Sequence, residues 1–406
     1  MSEVRKLQVL LANRLVGTIA ETPDREIFFE YSLEWLRGGF PISPFYLPLT
    51  PGLKHERSGV FGGLFGVFDD SLPDGWGLLL MDRFFRGKGI TPEALSPLDR
   101  LSYVGKSGIG ALGYRPVIKQ ATGKQEWMDL GTIAAQAERI IAGSPEEALP
   151  ALRAAGGASS GSRPKVFVAY NPGSGHMSSD TLQPGTGYEH WLIKFRTETD
   201  QRDAGCIEEA YAQMARAAGI EMPATRTFDT KAGRFFGVQR FDRKAGGLRI
   251  HTHTYGGMVN SNFRHPNRDY REFIGVVFEV TKDFQQVEQA FRRAAFNVLA
   301  HNRDDHVKNF SFLCSKSGQW RLSPAYDLTL SGGIGGQHNM TVMGIAKPGK
   351  NDLKGLGKDA GIAGGRVEAI INEVSTAVMH WPEFGEKAGV SKASIRAVSE
   401  ALLVKE

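Results

Sequence analysis

Residues 301–331 read HNRDDHVKNF SFLCSKSGQW RLSPAYDLTL S, and this run decides both fold and chemistry. Arg303-Asp304 is followed by four residues and then Asn309. An apolar strand pattern through Phe310, Phe312 and Leu313 comes next, then a Ser-Gly turn, a second short strand, and Asp327. The parts make chemical sense together. One carboxylate, Asp304, is suited to accept or orient the proton of an attacking hydroxyl. Asn309 and Asp327 offer hard oxygen donors of the kind Mg²⁺ prefers. A short hairpin between them would carry both to one edge. Taken alone, Arg-Asp-x4-Asn is also what a polar turn between a helix and a hairpin supplies, because Asp and Asn are ordinary turn formers. The hairpin and the second Asp raise the run above that bland reading.

Arg-Asp, four residues, Asn and a later metal-binding Asp is the order found in the catalytic loop of protein kinases. The run Asp304-Asp305-His306-Val307-Lys308-Asn309-Phe310-Ser311, followed by Leu322-Ser323-Pro324-Ala325-Tyr326-Asp327, resembles the HipA family more specifically. These are serine/threonine kinases that act as toxins of bacterial toxin–antitoxin modules. A second signature, Phe-x-x-Leu-Pro-Asp-Gly-x-Gly ahead of a helix, lies within Phe61–Arg83 (FGGLFGVFDDSLPDGWGLLLMDR). The resemblance implies an α+β, bilobal protein-kinase-like fold, with an antiparallel-sheet N-lobe and a helical C-lobe. A small mixed α/β domain would precede it. The expected division is 1–125 for the N-terminal domain, 126–245 for the N-lobe and 246–406 for the C-lobe.

Bulk composition is compatible with this and excludes other classes. The chain has 406 residues and is 41% hydrophobic, enough for one large or two ordinary domains with real cores. No apolar run approaches the length of a membrane span, and MSEVRKLQVL lacks the apolar stretch of a signal peptide. Cys206 and Cys314 are far apart and read as reduced core thiols. A cytoplasmic protein without membrane contact is expected. The net charge of +5 suits acidic partners, nucleic acid among them. It is spread along the chain with no dense basic block.

In chain order, 7–17 reads as a hairpin turning near Ala12–Arg14, and 26–33 as another strand. Pro73-Asp74-Gly75 is a turn, with Asp74 the expected N-cap of a helix that begins near Leu78. Asp69 and Asp70 read as solvated turn acids. Residues 92–104 form a second helical segment. Gly105–Gly113 (GKSGIGALG) is not a Walker A loop, since no Lys-Ser/Thr follows at the required spacing, and a strand follows at Leu112–Val117. Residues 120–127 read as a loop and soft boundary, with helices at 130–142 and 145–154.

Ala155–Tyr170 (AGGASSGSRPKVFVAY) runs from a small-residue loop into a strand. Such loops bring backbone N–H groups close to a phosphate. After a polar excursion over 171–187, His190–Phe195 is a strand bearing Lys194. That is where kinases place the lysine that pairs with the nucleotide phosphates. A helix over 205–218 offers Glu208 or Glu209 to orient it, and strands at 224–229 and 235–241 close the sheet. His251–Thr254 alternates His and Thr, but no Cys or acidic partner adjoins it, and no metal site is expected. Helices are expected at 270–280 and 287–300. Gly332–Gly336 reads as irregular and mobile, and helices fill 363–404.

The resemblance implies roles residue by residue. Asp304 would be the catalytic base and Lys194 the phosphate lysine, with Glu208 orienting it. Asn309 and Asp327 would hold Mg²⁺. Ser159, Ser160, Gly161 and Lys165 would border the ATP phosphates, with His306 and Lys308 beside them. Gln239 and Phe241 would reach adenine, Gln239 standing where the family has Glu. The family's autophosphorylated serine falls at Ala158 by register, which leaves Ser159 or Ser160 as acceptor. Expected partners are a protein substrate such as an aminoacyl-tRNA synthetase, a helix-turn-helix antitoxin of HipB type, and DNA through that antitoxin. Two alternatives share the scaffold: a small-molecule kinase, and an inactive kinase that serves as a DNA-bound co-repressor.

Overall fold

The computed structural model describes residues 5–118, 129–144, 150–179, 181–182, 185–244 and 247–403. The expected boundary loop at 120–127 lies outside them. The chain opens with β1 (Lys6–Leu11) and β2 (Arg14–Glu21), joined by a tight turn. Ala12 and Asn13 both have positive φ there, as the favoured two-residue hairpin turn demands. β3 (Ile27–Tyr31), α1 (Leu33–Gly38), β4 (Lys54–His55), α2 (Gly66–Asp69), α3 (Gly75–Arg86), α4 (Pro97–Val104) and β5 (Leu112–Arg115) follow. The strands form one antiparallel sheet in the order β4-β3-β2-β1-β5. Its apolar face, with Leu7, Val9, Val16, Ile19 and Phe29, packs on Phe65, Phe68, Leu98 and Leu101. Ser96 caps α4 in a capping box with Asp99, and Pro97 stands at the first helical position, the arrangement that best satisfies free N–H groups there.

The next unit contains α5 (Leu130–Ile141), α6 (Pro150–Gly156), β6 (Lys165–Tyr170), β7 (Met177–Ser178), β8 (Glu189–Lys194), α7 (Ala204–Ala217), β9 (Thr225–Thr230) and β10 (Gly233–Gln239). Its sheet runs β7-β6-β8-β10-β9, antiparallel throughout. α7 packs its Tyr211 and Met214 into the core of the helical region that follows, and the Tyr211 hydroxyl donates to Ala300 O (2.9 Å). The helix therefore belongs to both lobes.

The remainder is mainly helical: β11 (His251–Thr254), α8 (Tyr255–Met258), β12 (Arg268–Asp269), α9 (Tyr270–Thr281), α10 (Phe284–Leu299), β13 (Ser311–Cys314), β14 (Trp320–Leu322), β15 (Met340–Thr341), α11 (Lys350–Asp359), α12 (Gly364–Met379), α13 (Trp381–Ala388) and α14 (Lys392–Leu403). The strongly amphipathic α10 buries Phe291, Ala294, Ala295 and Val298 in the core. α11 was not expected, because its sequence KNDLKGLGKD has low helix propensity. It forms because Leu353 and Leu356 are buried against the core. The stretch 332–336, expected to be irregular, is so: Gly333, Gly335 and Gly336 all have positive φ. Among the described residues no helix is long and apolar enough to cross a membrane.

The three units are coupled by buried polar contacts. Asp242 accepts from Arg240 (2.7 Å), Arg243 (2.6 Å) and Gly110 N (2.8 Å). Arg243 also donates to Gly108 O (2.7 Å) and Gly110 O (2.8 Å). The glycine-rich stretch 105–113 is thus a strap held by arginines from the segment joining the lobes. His253 Nδ1 lies 2.6 Å from Asp70 Oδ2, and its Nε2 lies 3.0 Å from Ser43 Oγ. The Asp70 side chain, expected in solvent, is instead enclosed and also accepts from Thr254 N (2.7 Å) and Thr254 Oγ1 (2.6 Å). Both cysteines are free and buried.

Candidate active site

Adjacent strands and one helix set the cationic wall. Lys165 and Lys194 are direct partners across β6 and β8, and Phe236 of β10 is opposite Lys194 on its other side. Two like charges in such a pair repel, so carboxylates must compensate. Glu208 of α7 and Asp327 both form ion pairs with Lys194 Nζ. Of the two candidate helix acids, Glu208 meets the lysine, while Glu209 accepts from Gln213 one turn on (2.9 Å).

The electrostatics follow from this packing. Burial alone would depress the Lys194 ammonium, but Asp327 and Glu208 more than reverse it and hold it above the ordinary lysine value. Burial would lift Asp327, yet Lys194 and Lys165 hold its carboxyl well below the usual range. Burial raises Glu208 against the pull of Lys194. Lys165 is lowered by burial, with Lys194 adding to the effect and Asp327 opposing it. Lys194 and Glu208 side chains are 10% and 4% exposed, against 38% for Asp327. Asp327 is therefore the member of the cluster that opens to solvent.

The catalytic-loop run forms the facing wall. α10 delivers the chain into it, and a 3₁₀ turn spans Val307–Asn309. β13 and β14 pair, with Phe312 opposite Leu322. Past the hairpin, the Tyr326 hydroxyl donates to Lys308 O (2.7 Å), which ties the residue before Asp327 to the residue before Asn309. Asp327 has φ +59°, a left-handed conformation that Asp tolerates better than most residues. Asn309 Nδ2 donates to Asp304 O (2.7 Å), so its amide oxygen faces away from that contact. The Asp304 carboxyl is exposed and raised by partial desolvation, with Asp327 and Asp305 adding to the effect and His306 opposing it. Asp305 has no exposure and is bonded by Tyr270 OH (2.7 Å) and Asn339 N (2.8 Å).

The remaining candidates fall in distinct places. The 157–162 loop lies between this cleft and α3. Ser159 is fully buried and donates to Gly156 O (2.6 Å), whereas Ser160 is half-buried. Gln239 N–H is engaged with Ala224 O (2.8 Å), and the Phe241 ring stands 5.6 Å from Tyr326. The His306 ring stands 5.1 Å from Phe263. Lys308 reaches toward the N-terminal unit, 3.3 Å from Asp74 and 3.6 Å from Asp69.

Asp74 stands where the sequence placed it, but its side chain serves a different purpose. It stands at the N-cap of α3, but its side chain makes no capping hydrogen bond. One carboxylate oxygen accepts from Gly161 N and the other faces Lys308 Nζ. Trp76 N donates to Gly161 O (2.9 Å) and Trp76 Nε1 to Lys165 O (3.0 Å). A Cβ at Gly75 would stand 2.4 Å from Gly161 O, and one at Gly77 2.2 Å from Ser159 O. The Leu-Pro-Asp-Gly-x-Gly motif is therefore the seat of the small-residue loop, and its glycines are there to permit close approach. Turn composition alone gave no sign of this. The one available signal was the pairing of two glycine-bearing motifs in a single chain.

A sheet-rich lobe, a helical lobe, a buried Lys–Glu pair and an Asp-Asn-Asp cleft define a kinase-like fold. Residues 7–115 match the family model of the HipA N-terminal domain, and residues 157–381 match that of the HipA-like C-terminal domain. The chain belongs to the HipA family. Its fold is similar to a chain of the Shewanella oneidensis MR-1 toxin–antitoxin complex of HipA, HipB and operator DNA. That match has a TM-score of 0.72 and covers 98% of this chain and 96% of the other, at 16% identity. A candidate kinase of Sinorhizobium fredii, Y4dM, is 29% identical over 160 residues. The matched part is 36% of this chain and 38% of that relative.

Proposed function

We propose that this protein is an ATP- and Mg²⁺-dependent serine/threonine protein kinase, the toxin of a toxin–antitoxin pair. The observation that carries the reading is the Lys194–Glu208–Asp327 cluster, with Asp304 near enough for the Asp327 charge to add to the rise that desolvation gives its carboxyl. In this reading Lys194, held by Glu208, orients the α- and β-phosphates. Ser159, Ser160, Gly161 and Lys165 line the phosphate path. Gln239 and Phe241 border adenine, and His306 flanks the transferring group, with Lys308 anchoring the loop behind it. Asp304 orients the acceptor hydroxyl and takes its proton.

The donor chemistry suits magnesium. Asp327 is a carboxylate kept ionised at any physiological pH, and the Asn309 amide nitrogen is occupied by Asp304 O, which leaves an oxygen for a hard cation. Magnesium, when bound, neutralises charge on the phosphates. The three-part division at 1–125, 126–245 and 246–406 belongs to the same reading. So do autophosphorylation, at Ser160 more readily than at enclosed Ser159, a protein target such as an aminoacyl-tRNA synthetase, and an antitoxin of HipB type that links the protein to DNA. The test is incubation of the purified chain with Mg²⁺ and labelled ATP beside Asp304→Asn, with phosphoserine mapped by mass spectrometry. Label in the wild type and none in the variant is the expected result. Absence of ATP binding would overturn the reading and favour the co-repressor alternative.

A further inference from the structure

The segment after Asp327 returns beneath the catalytic loop and is fixed there. Ser331 N donates to His301 O (3.0 Å), and Asn302 and Ser331 form an isolated bridge. Farther on, Asp305 holds four partners, Met340 N among them at 3.5 Å. Its Oδ1 accepts from Asn339 N (2.8 Å), and its Oδ2 accepts from Tyr270 OH (2.7 Å) and lies 2.8 Å from His338 Nδ1. Tyr270 OH in turn accepts from Asn297 Nδ2 (2.8 Å). Asp305 and His338 are 0% and 5% exposed, so this anchor is dry and rigid. Half-buried Asn339 is the part that emerges beside Asp304. Its Nδ2 donates to Arg303 O (3.0 Å) and stands 3.4 Å from Asp304 Oδ1. Both neighbours can only accept, so the orientation of the amide is fixed by chemistry. Among the described residues, Asn339 is the side chain that donates to the Asp304 carboxylate.

We infer that Asn339 is a positioning residue for Asp304. The inference rests on the kinase reading above. The amide holds one carboxylate oxygen and leaves the other for the acceptor hydroxyl, while Asn309 fixes the same residue through its backbone carbonyl. Asp305 acts one step further back, by locking the Asn339 backbone. A contact of 3.4 Å is long at rest, as hydrogen bonds in catalytic sites often are before substrate binds. Small misplacements of a reacting group are costly, about 100-fold for 1 Å.

The test uses the full chain, Mg²⁺ and labelled ATP. It reads transfer to protein and to water, the KM for ATP, nucleotide affinity and melting temperature. Asn339→Ala removes the donor. Asn339→Asp keeps the shape and removes the donor. In both the Asn339 N–H that anchors to Asp305 remains. The expected result is a fall in kcat of about tenfold or more in both variants, with KM for ATP and nucleotide affinity within about twofold of wild type. Asn339→Gln, which retains a donor, should recover part of the rate. Unchanged kcat in Asn339→Asp would overturn the inference while leaving the kinase reading intact. A loss that tracks nucleotide affinity or melting temperature would also overturn it, since the residue would then be merely structural. Absence of any transfer by the wild type would overturn the kinase reading and this inference with it.

Discussion

The two walls of the cleft are built in opposite ways. On one, residues 301–327 place Asp304, Asn309 and Asp327 through a single helix exit and a single hairpin. On the other, the loop around Gly161 is held by Asp74, 87 residues away, and Asp74 faces Lys308, 234 residues away. The first wall carries its chemistry in its own sequence. The second borrows it from a separate unit of the chain, so its strength depends on how that unit docks. The difference teaches that a motif with an ordinary local purpose, here a Pro-Asp-Gly turn, can serve chiefly as a clamp on something distant.

Breaking each wall should have a different signature. The largest effect belongs to the local wall: Asp304→Asn should lower phosphoryl transfer by about 100-fold to 10,000-fold, with nucleotide affinity and melting temperature unchanged. Rapid-quench measurement of label transfer checks this, and retention of most activity would remove Asp304 from the chemistry. Lys194→Met tests the junction of the two walls. It leaves Glu208 and Asp327 without their ion-pair partner, though Lys165 stays near both, and breaking a buried pair this way costs about 3–5 kcal/mol. Denaturant unfolding without nucleotide should show the loss, and Glu208→Gln added to Lys194→Met should restore part of it.

Asp74→Ala addresses the borrowed wall alone. An unsatisfied loop amide, with Lys308 left to Asp69 alone of its two ion-pair partners, should cost about 1–3 kcal/mol. Amide hydrogen exchange at Gly161 should quicken, and ATP affinity should suffer more than kcat. Equal losses in kcat and affinity would show that the clamp also shapes the catalytic loop. The smallest effect concerns Asp69. Burial pushes its carboxyl up to about 6, against the pull of Lys308 and with Asp70 adding to the rise. The native state then holds a proton that the unfolded chain releases near its ordinary value, so this group's contribution to stability falls as pH rises from about 4 to about 6. Asp69→Asn should flatten that part of the pH–stability curve, as chemical denaturation between pH 4 and 7 will read.

Legibility followed sequence distance. The hairpin at 12–13, the lysine strand β8, helix α7 and the strand pair after Asn309 were all readable, because period, turn chemistry and capping act over a few residues. Helix pattern alone did not separate Glu208 from Glu209, since adjacent positions differ only by the direction they face, about 100° apart around the axis; the family register chose Glu208. Asp69 and Asp70 read as solvated turn acids and Asp74 as a helix cap. Packing gave them a lysine partner, a histidine–threonine partner, and a bridge between a loop amide and a lysine. Asn339 had no signal at all: a lone Asn after a glycine-rich run looks like any turn residue until the chain folds back under Asp304.

By itself the sequence pointed to the kinase-like architecture through the resemblance carried by residues 304–327 and 61–83, and the alternation of apolar residues marked several of its strands. Tertiary structure alone decided which carboxylate meets which cation. A charge in a turn costs little wherever it points in water. In a dry interface each one must be paired, and the partner is set by the docking of units more than 200 residues apart in the chain.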